Sequence, residues 1–160
     1  MREPSFWWGE ASLASALLAP LAAIYGAVAQ ARLGGRGRRA GVPVVCIGNL
    51  TVGGAGKTPT ALAVAAVLAA AGERPAFLSR GYGGRLAGPV LVDPARHGAH
   101  DVGDEPLLLA RTAPTIVARD RVKGAAIAAG ASVIVMDDGF HNPSLLKLSL
   151  IHISEPTRPY

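Results

Sequence analysis

Apolar residues along the chain fall into short runs separated by breaks rich in glycine and proline. Runs of β-branched character at 42–47, 75–78, 90–92, 115–118 and 132–136 read as strands. Between them, 60–71, 107–111 and 119–129 carry Ala- and Leu-rich patterns of helical type. Strand and helix alternate, and the strands are apolar throughout rather than on every second residue. That pattern predicts an α/β fold with a mostly parallel sheet flanked by helices. Ahead of it lies 11–31, an uncharged stretch dominated by Ala and Leu and long enough to span a bilayer. Pro20 interrupts this stretch, and Gly26 and Gln30 dilute it. Phe6, Trp7 and Trp8 stand just before it, residue types that favour a membrane interface.

Composition narrows the class. Half of the 160 residues are hydrophobic and 17% are charged, which excludes wholesale disorder and suits one modest domain with a real core. A single cysteine, Cys46, excludes an internal disulfide and a Cys-rich metal site, and the four histidines lack ligand spacing. The net charge is +5, with Arg32, Arg36, Arg38 and Arg39 clustered behind the apolar stretch. Beside an apolar segment such a cluster favours anionic lipid headgroups, and no nucleic acid partner is expected. The expectation is a helix lying on or in the cytoplasmic leaflet with its arginines at the headgroups. Its rivals are an ordinary buried helix, and a signal peptide cleaved near Ala27-Val28-Ala29. The acidic Glu3 and Glu10 speak against the signal peptide.

The candidate chemistry begins after the first strand. Thr51, Val52, Gly53, Gly54, Ala55, Gly56, Lys57 and Thr58 lead into a helix with Pro59 in its first turn. Strand, glycine loop, Lys-Thr and helix in that order make a P-loop, whose amides close around phosphate oxygens at a helix N-terminus. Lys57 is then placed to reach the β- and γ-phosphates of ATP, and the Thr58 hydroxyl to ligate Mg²⁺. The pattern is imperfect, since Thr51 stands where the first glycine belongs. The strand 132–136 runs into Asp137 and Asp138, the strand-end acids that a P-loop needs for its metal; a turn-forming Asp-Gly is the alternative. After the second strand, Arg80 and Tyr82 stand among glycines, in a loop suited to a phosphate or a sugar or else a plain surface turn. Asp104 and Glu105 open a helix, where acids also serve the helix dipole.

Four motifs in order carry a resemblance: the segment 48–59, Ser79-Arg80-Gly81-Tyr82-Gly83, Gly103-Asp104-Glu105-Pro106 and Asp137-Asp138-Gly139-Phe140. Together they resemble the tetraacyldisaccharide 4'-kinase (lipid A 4'-kinase) family over about residues 5 to 150. The resemblance implies transfer of the ATP γ-phosphate, with Mg²⁺, to the 4'-hydroxyl of an acylated glucosamine disaccharide 1-phosphate at the cytoplasmic face of the inner membrane. It further implies that Thr51 to Thr58 bind ATP, and that Asp137 and Asp138 serve the metal with Glu105 nearby. Asp104 becomes the base for the sugar hydroxyl, while Arg80, Tyr82 and Arg119 face the disaccharide. The expected organisation is a membrane-associated helix and link at 1–40, an incomplete P-loop kinase domain at 41–147 and a tail at 148–160 foreign to the family.

Two features depart from the family pattern. His141 stands where the family has Gln, and Ser154 to Tyr160 resembles translated sequencing-adapter read-through. A truncated chain, inactive alone, is therefore expected. The rival readings are a deviant Walker A ATPase, which would need Lys where Val52 stands, and a non-catalytic fragment binding nucleotide and membrane.

Overall fold

The computed structural model describes residues 13–33, 37–48, 56–137, 139 and 142–152. The chain divides into two compact units, Met1–Gly35 and Arg36–Tyr160.

Among the described residues the first unit holds one helix, α1 (Leu13–Leu33), with no charged residue in it before Arg32. It runs through Pro20, where a break was expected, although proline removes one backbone hydrogen bond there. No helix among the described residues is long and apolar enough to cross a membrane.

The second unit is the expected α/β fold, built on a six-stranded sheet. In chain order its elements are β1 (Val44–Gly48), α2 (Lys57–Ala70), β2 (Pro75–Ser79), β3 (Val90–Leu91), α3 (Ala99–Val102), α4 (Asp104–Leu109), β4 (Thr115–Val117), α5 (Arg121–Ala126), β5 (Val133–Asp137) and β6 (Ser149–His152). The strand order is β3-β4-β2-β5-β1-β6. All pairings are parallel except β3 with β4, an antiparallel edge. β5 lies between β1 and β2, with Val45 opposite Val135 and Phe77 opposite Val135 on the other side.

Successive residues of each strand point to opposite faces, so the sheet carries two cores. On one face Ile47, Phe77 and Val135 meet Ala61 and Ala65 of α2 and Leu109 of α4. On the other, Cys46, Leu78, Ile116, Ile134 and Met136 meet Ala125 of α5 and Leu145 of the segment before β6. Burial on both faces explains why β5 is apolar until Asp137.

Residues 149–152 of the tail form β6, which pairs with β1 from Val45 opposite Ser149 to Gly48 opposite His152. Helix α4 begins at Asp104, with Asp104, Glu105 and Pro106 as its first turn, as the sequence indicates, and ends at Leu109, before the expected 111. Helix α5 is shorter than predicted. Its N-cap is Asp120, whose carboxylate accepts hydrogen bonds from the amides of Val122 and Lys123.

Candidate active site

In a parallel sheet every strand delivers its following loop to the same edge, and ligands bind outside the carboxyl ends of the strands. Here β1, β2, β4 and β5 bring the candidate residues to that edge. β1 ends at Gly48, and α2 returns from it starting at Lys57. Gly56 caps α2 with φ +73°, a left-handed conformation that a side chain would strain. Its carbonyl accepts from the Thr60 amide at 3.0 Å, closing the first turn. Lys57 and Thr58 are half-buried there, and no acidic residue in the first turn opposes the helix's positive end. Thr51, Val52, Gly53, Gly54 and Ala55 lie outside the described residues, as do Asp138 and His141.

Asp137 is the last residue of β5 and is paired with Ile47, one residue before the end of β1. It is only 1% exposed. A carboxylate buried that deeply persists only with hydrogen-bonding or cationic partners. Adjacent strands thus hold this acid at the edge from which the Lys57-Thr58 helix start departs. Among the described residues no group of three His, Cys, Asp or Glu is clustered for a metal. Mg²⁺ commonly takes only one or two carboxylates, with substrate phosphates and waters completing its oxygen shell. A strand-end carboxylate and the Thr58 hydroxyl fit such a donor set.

The loop after β2 and the start of α4 form a second group, and glycines make their close approach possible. Gly81 has φ +72°, and a Cβ on it would stand 2.5 Å from Val117 Cγ1 and 3.0 Å from the Val102 carbonyl oxygen. Gly103 has φ +93°, and a Cβ there would overlap the Tyr82 carbonyl oxygen. The Leu86 amide donates to the Asp101 carbonyl at 2.9 Å, and Arg85 Nε donates to Asp101 Oδ1 at 2.8 Å. Asp104 and Glu105 therefore begin their helix against the loop that carries Arg80 and Tyr82, and all four side chains are exposed. Gly103, not Asp104, caps α4, and no side-chain capping bond is made there. Exposed first-turn acids without a capping bond contribute only the dipole's few tenths to about 1 kcal/mol.

Arg119 follows β4 on the same edge and is exposed. Its amide donates to the Ala87 carbonyl at 2.8 Å, and the Ala118 amide donates to the Ser79 carbonyl at 3.0 Å, so the exits of β2 and β4 are tied together. Arg121, which the sequence reading passed over, is 2% exposed, and its Nη1 donates to the Ala118 carbonyl at 2.9 Å. Nothing local in the sequence signals this burial of Arg121, the first residue of α5 after the capping Asp120.

A parallel α/β sheet with a Gly-Lys-Thr helix start beside a buried strand-end aspartate has the architecture of the P-loop proteins. Within that class the match is specific. The model of the LpxK family, tetraacyldisaccharide-1-P 4'-kinase, covers residues 14–158, and the chain belongs to this family. It is 66% identical over 149 residues to a tetraacyldisaccharide 4'-kinase of Rhodopseudomonas palustris (strain BisB18), covering 92% of this chain and 43% of the relative. It is 63% identical over 160 residues to that of Methylobacterium radiotolerans, covering 98% of this chain and 49% of the relative. Among solved structures, "apo" form LpxK from Aquifex aeolicus in complex with ATP superposes with a TM-score of 0.74 at 29% identity, over 86% of this chain and 48% of that one. The chain thus spans about half the length of the curated relatives it matches.

Proposed function

We propose that this chain is the nucleotide-binding part of an enzyme that transfers the γ-phosphoryl group of ATP to the 4'-hydroxyl of an acylated glucosamine disaccharide 1-phosphate, a step of lipid A biosynthesis. The observation that carries the reading is convergence. At one sheet edge, in a chain of this family, stand the Lys57-Thr58 helix start, the buried Asp137 and the paired loops of Arg80-Tyr82 and Asp104-Glu105.

Each group has a role its chemistry suits. The segment 51–58 wraps the phosphates with backbone amides, and Lys57 adds a point charge at the β- and γ-phosphates. Thr58, Asp137 and Asp138, with Glu105 nearby, are the oxygen donors for Mg²⁺, which when bound neutralises phosphate charge. Asp104 takes the proton of the sugar hydroxyl as its oxygen bonds to the γ-phosphorus and the bond to the bridging oxygen breaks. Arg80, Tyr82 and Arg119 hold the disaccharide, whose 1-phosphate and hydroxyls call for cations and hydrogen bonds.

The lipid substrate calls for a membrane, and α1 supports an interfacial anchor at the cytoplasmic face of the inner membrane. Its Leu17, Leu18, Leu21 and Ile24 are 78%, 46%, 64% and 63% exposed, on a helix with no charged residue before Arg32.

The test uses the chain continued into its natural C-terminal portion, assayed for phosphate transfer and nucleotide binding. Lys57→Ala is expected to cut turnover strongly and weaken ATP binding. Asp104→Ala is expected to lower kcat about 10²- to 10⁴-fold while leaving ATP affinity nearly intact. Normal turnover in Asp104→Ala with only a lowered melting temperature would reduce Asp104 to a helix-start residue.

A further inference from the structure

We propose that Asp101 is a positioning residue of the transfer. Through Arg85 it clamps the loop of Arg80 and Tyr82 to the turn that delivers Asp104, so that the sugar-binding groups and the base are held as one unit. The inference rests on the kinase reading above and deepens it. Three observations carry it.

The first is where the two carboxylate oxygens of Asp101 go. Oδ2 accepts from the Gly98 amide at 2.9 Å, within its own segment, and closes the first turn of α3. Oδ1 accepts from Arg85 Nε at 2.8 Å, 16 residues back along the chain. The carboxylate therefore joins α3 to the far end of the glycine loop that follows β2. The side chain of Asp101 is 21% exposed and that of Arg85 is 65% exposed. An ion pair so open to water adds little to stability. What it fixes is geometry, since Asp101 is held at both oxygens and Arg85 at Nε.

The second is how closely the clamped segments lie. The Arg85 amide donates to the His100 carbonyl at 3.0 Å, and the Leu86 amide to that of Asp101 at 2.9 Å. The Gly84 amide donates to the Gly81 carbonyl at 3.1 Å, turning the loop back on itself. A Cβ on Gly84 would stand 2.6 Å from the Val102 carbonyl carbon and 2.8 Å from the Gly103 amide nitrogen. Backbone here lies directly on backbone, and the Arg85–Asp101 pair is a side-chain bond across that contact.

The third is the short path from Asp101 to Asp104. Helix α3 ends at Val102, α4 begins at Asp104, and Gly103 between them has φ +93°. No side-chain hydrogen bond caps α4 at Gly103. The direction in which Asp104 leaves the turn is thus set by α3 and by the loop packed against it. At its other end the loop reaches Ala87, whose carbonyl accepts from the Arg119 amide at 2.8 Å. Arg80, Tyr82, Asp104 and Arg119 are thereby joined through backbone that Asp101 holds. A displacement of about 1 Å between reacting groups can cost about 10²-fold in rate. The competing role is a direct contact from Arg85 to the substrate phosphate.

The test uses the chain continued into its natural C-terminal portion, assayed well below the melting temperature of every variant. Asp101→Ala is expected to lower kcat/KM for the disaccharide at least about tenfold, through both kcat and KM, with the ATP Kd within about twofold. Arg85→Ala should show the same loss, and the double variant no more than about threefold beyond it, because the pair acts as one unit. A double variant near the product of the single losses, about a hundredfold, would overturn the proposal. So would a far larger loss in Arg85→Ala than in Asp101→Ala, the mark of direct phosphate contact. Asp101→Asn keeps one acceptor oxygen and is the milder variant, expected to give the same pattern at smaller size. Hydrogen exchange supplies a reading free of catalysis. The Leu86 amide should exchange at least about tenfold faster in Asp101→Ala, with the Ala118 amide unchanged. Unchanged exchange at Leu86 would overturn the clamp, and faster exchange with normal kcat/KM would overturn the positioning role. Full turnover in Asp104→Ala would remove the reading of Asp104 as base, and this inference with it. With Asp104→Ala inactive, normal kcat/KM in Asp101→Ala would remove this proposal alone.

Discussion

Asp101 ties two loops together at the rim of the site. Its carboxylate accepts from the Gly98 amide at 2.9 Å and from Arg85 Nε at 2.8 Å. The Gly98 hydrogen bond first, and Arg85 second, hold its carboxyl below the ordinary value of 3.8 against the opposing effect of burial. A carboxyl whose folded value is depressed contributes stability above its unfolded value, and that contribution is lost as pH falls through the folded value. The melting temperature should therefore fall more steeply below about pH 4 in the native chain than in Asp101→Asn; parallel acid limbs would refute the linkage. Gly81 is a second single-residue determinant. Gly81→Ala should destabilise the fold by roughly 1–3 kcal/mol, read as a lower urea midpoint, because it combines a left-handed φ with a collision at Val117. The glycines of 79–85 are plain in the sequence, but their partners Val102 and Val117 are set by tertiary packing. A flexible turn and a packed one therefore looked alike. That Lys57, Asp137 and Asp104 stand at element ends was legible, because the neighbours of each define that end.

Elements were legible where apolar runs were long and bounded. β1, β2, β4 and β5 appear within a residue or two of the predicted runs. Helix α3 escaped because four residues are too few to show a period. β6 escaped because Ser149–His152 is four residues long, with polar residues at both ends. The helix with most at stake for function is α1. If its exposed leucines enter a leaflet and the following arginines meet headgroups, replacing Arg32, Arg36, Arg38 and Arg39 with Gln should weaken binding to anionic vesicles by about 1 kcal/mol for each arginine at the surface. Binding to neutral vesicles should change little. Vesicle flotation at two lipid compositions decides this, and an equal loss on both would remove the headgroup role.

For the whole molecule, alternation of strand and helix announced a parallel sheet, but it did not announce the strand order. Nothing local in 133–137 says that β5 inserts between β1 and β2, since that is decided by which faces the helices between them must cover. The convergence of four distant motifs on one edge is a consequence of this order, and only their succession along the chain hinted at it. The place of β1 between β5 and β6 also has a consequence for synthesis. Both of its neighbours, β5 and β6, follow it by about 85 residues or more. At roughly 5–20 residues per second, a ribosome leaves this apolar strand unpaired for about 4 to 17 s. Nascent chains arrested before Val133 should therefore be cleaved readily by protease within 44–48, and chains arrested well past His152 should resist. Until then this buried, apolar strand is the segment most in need of a chaperone.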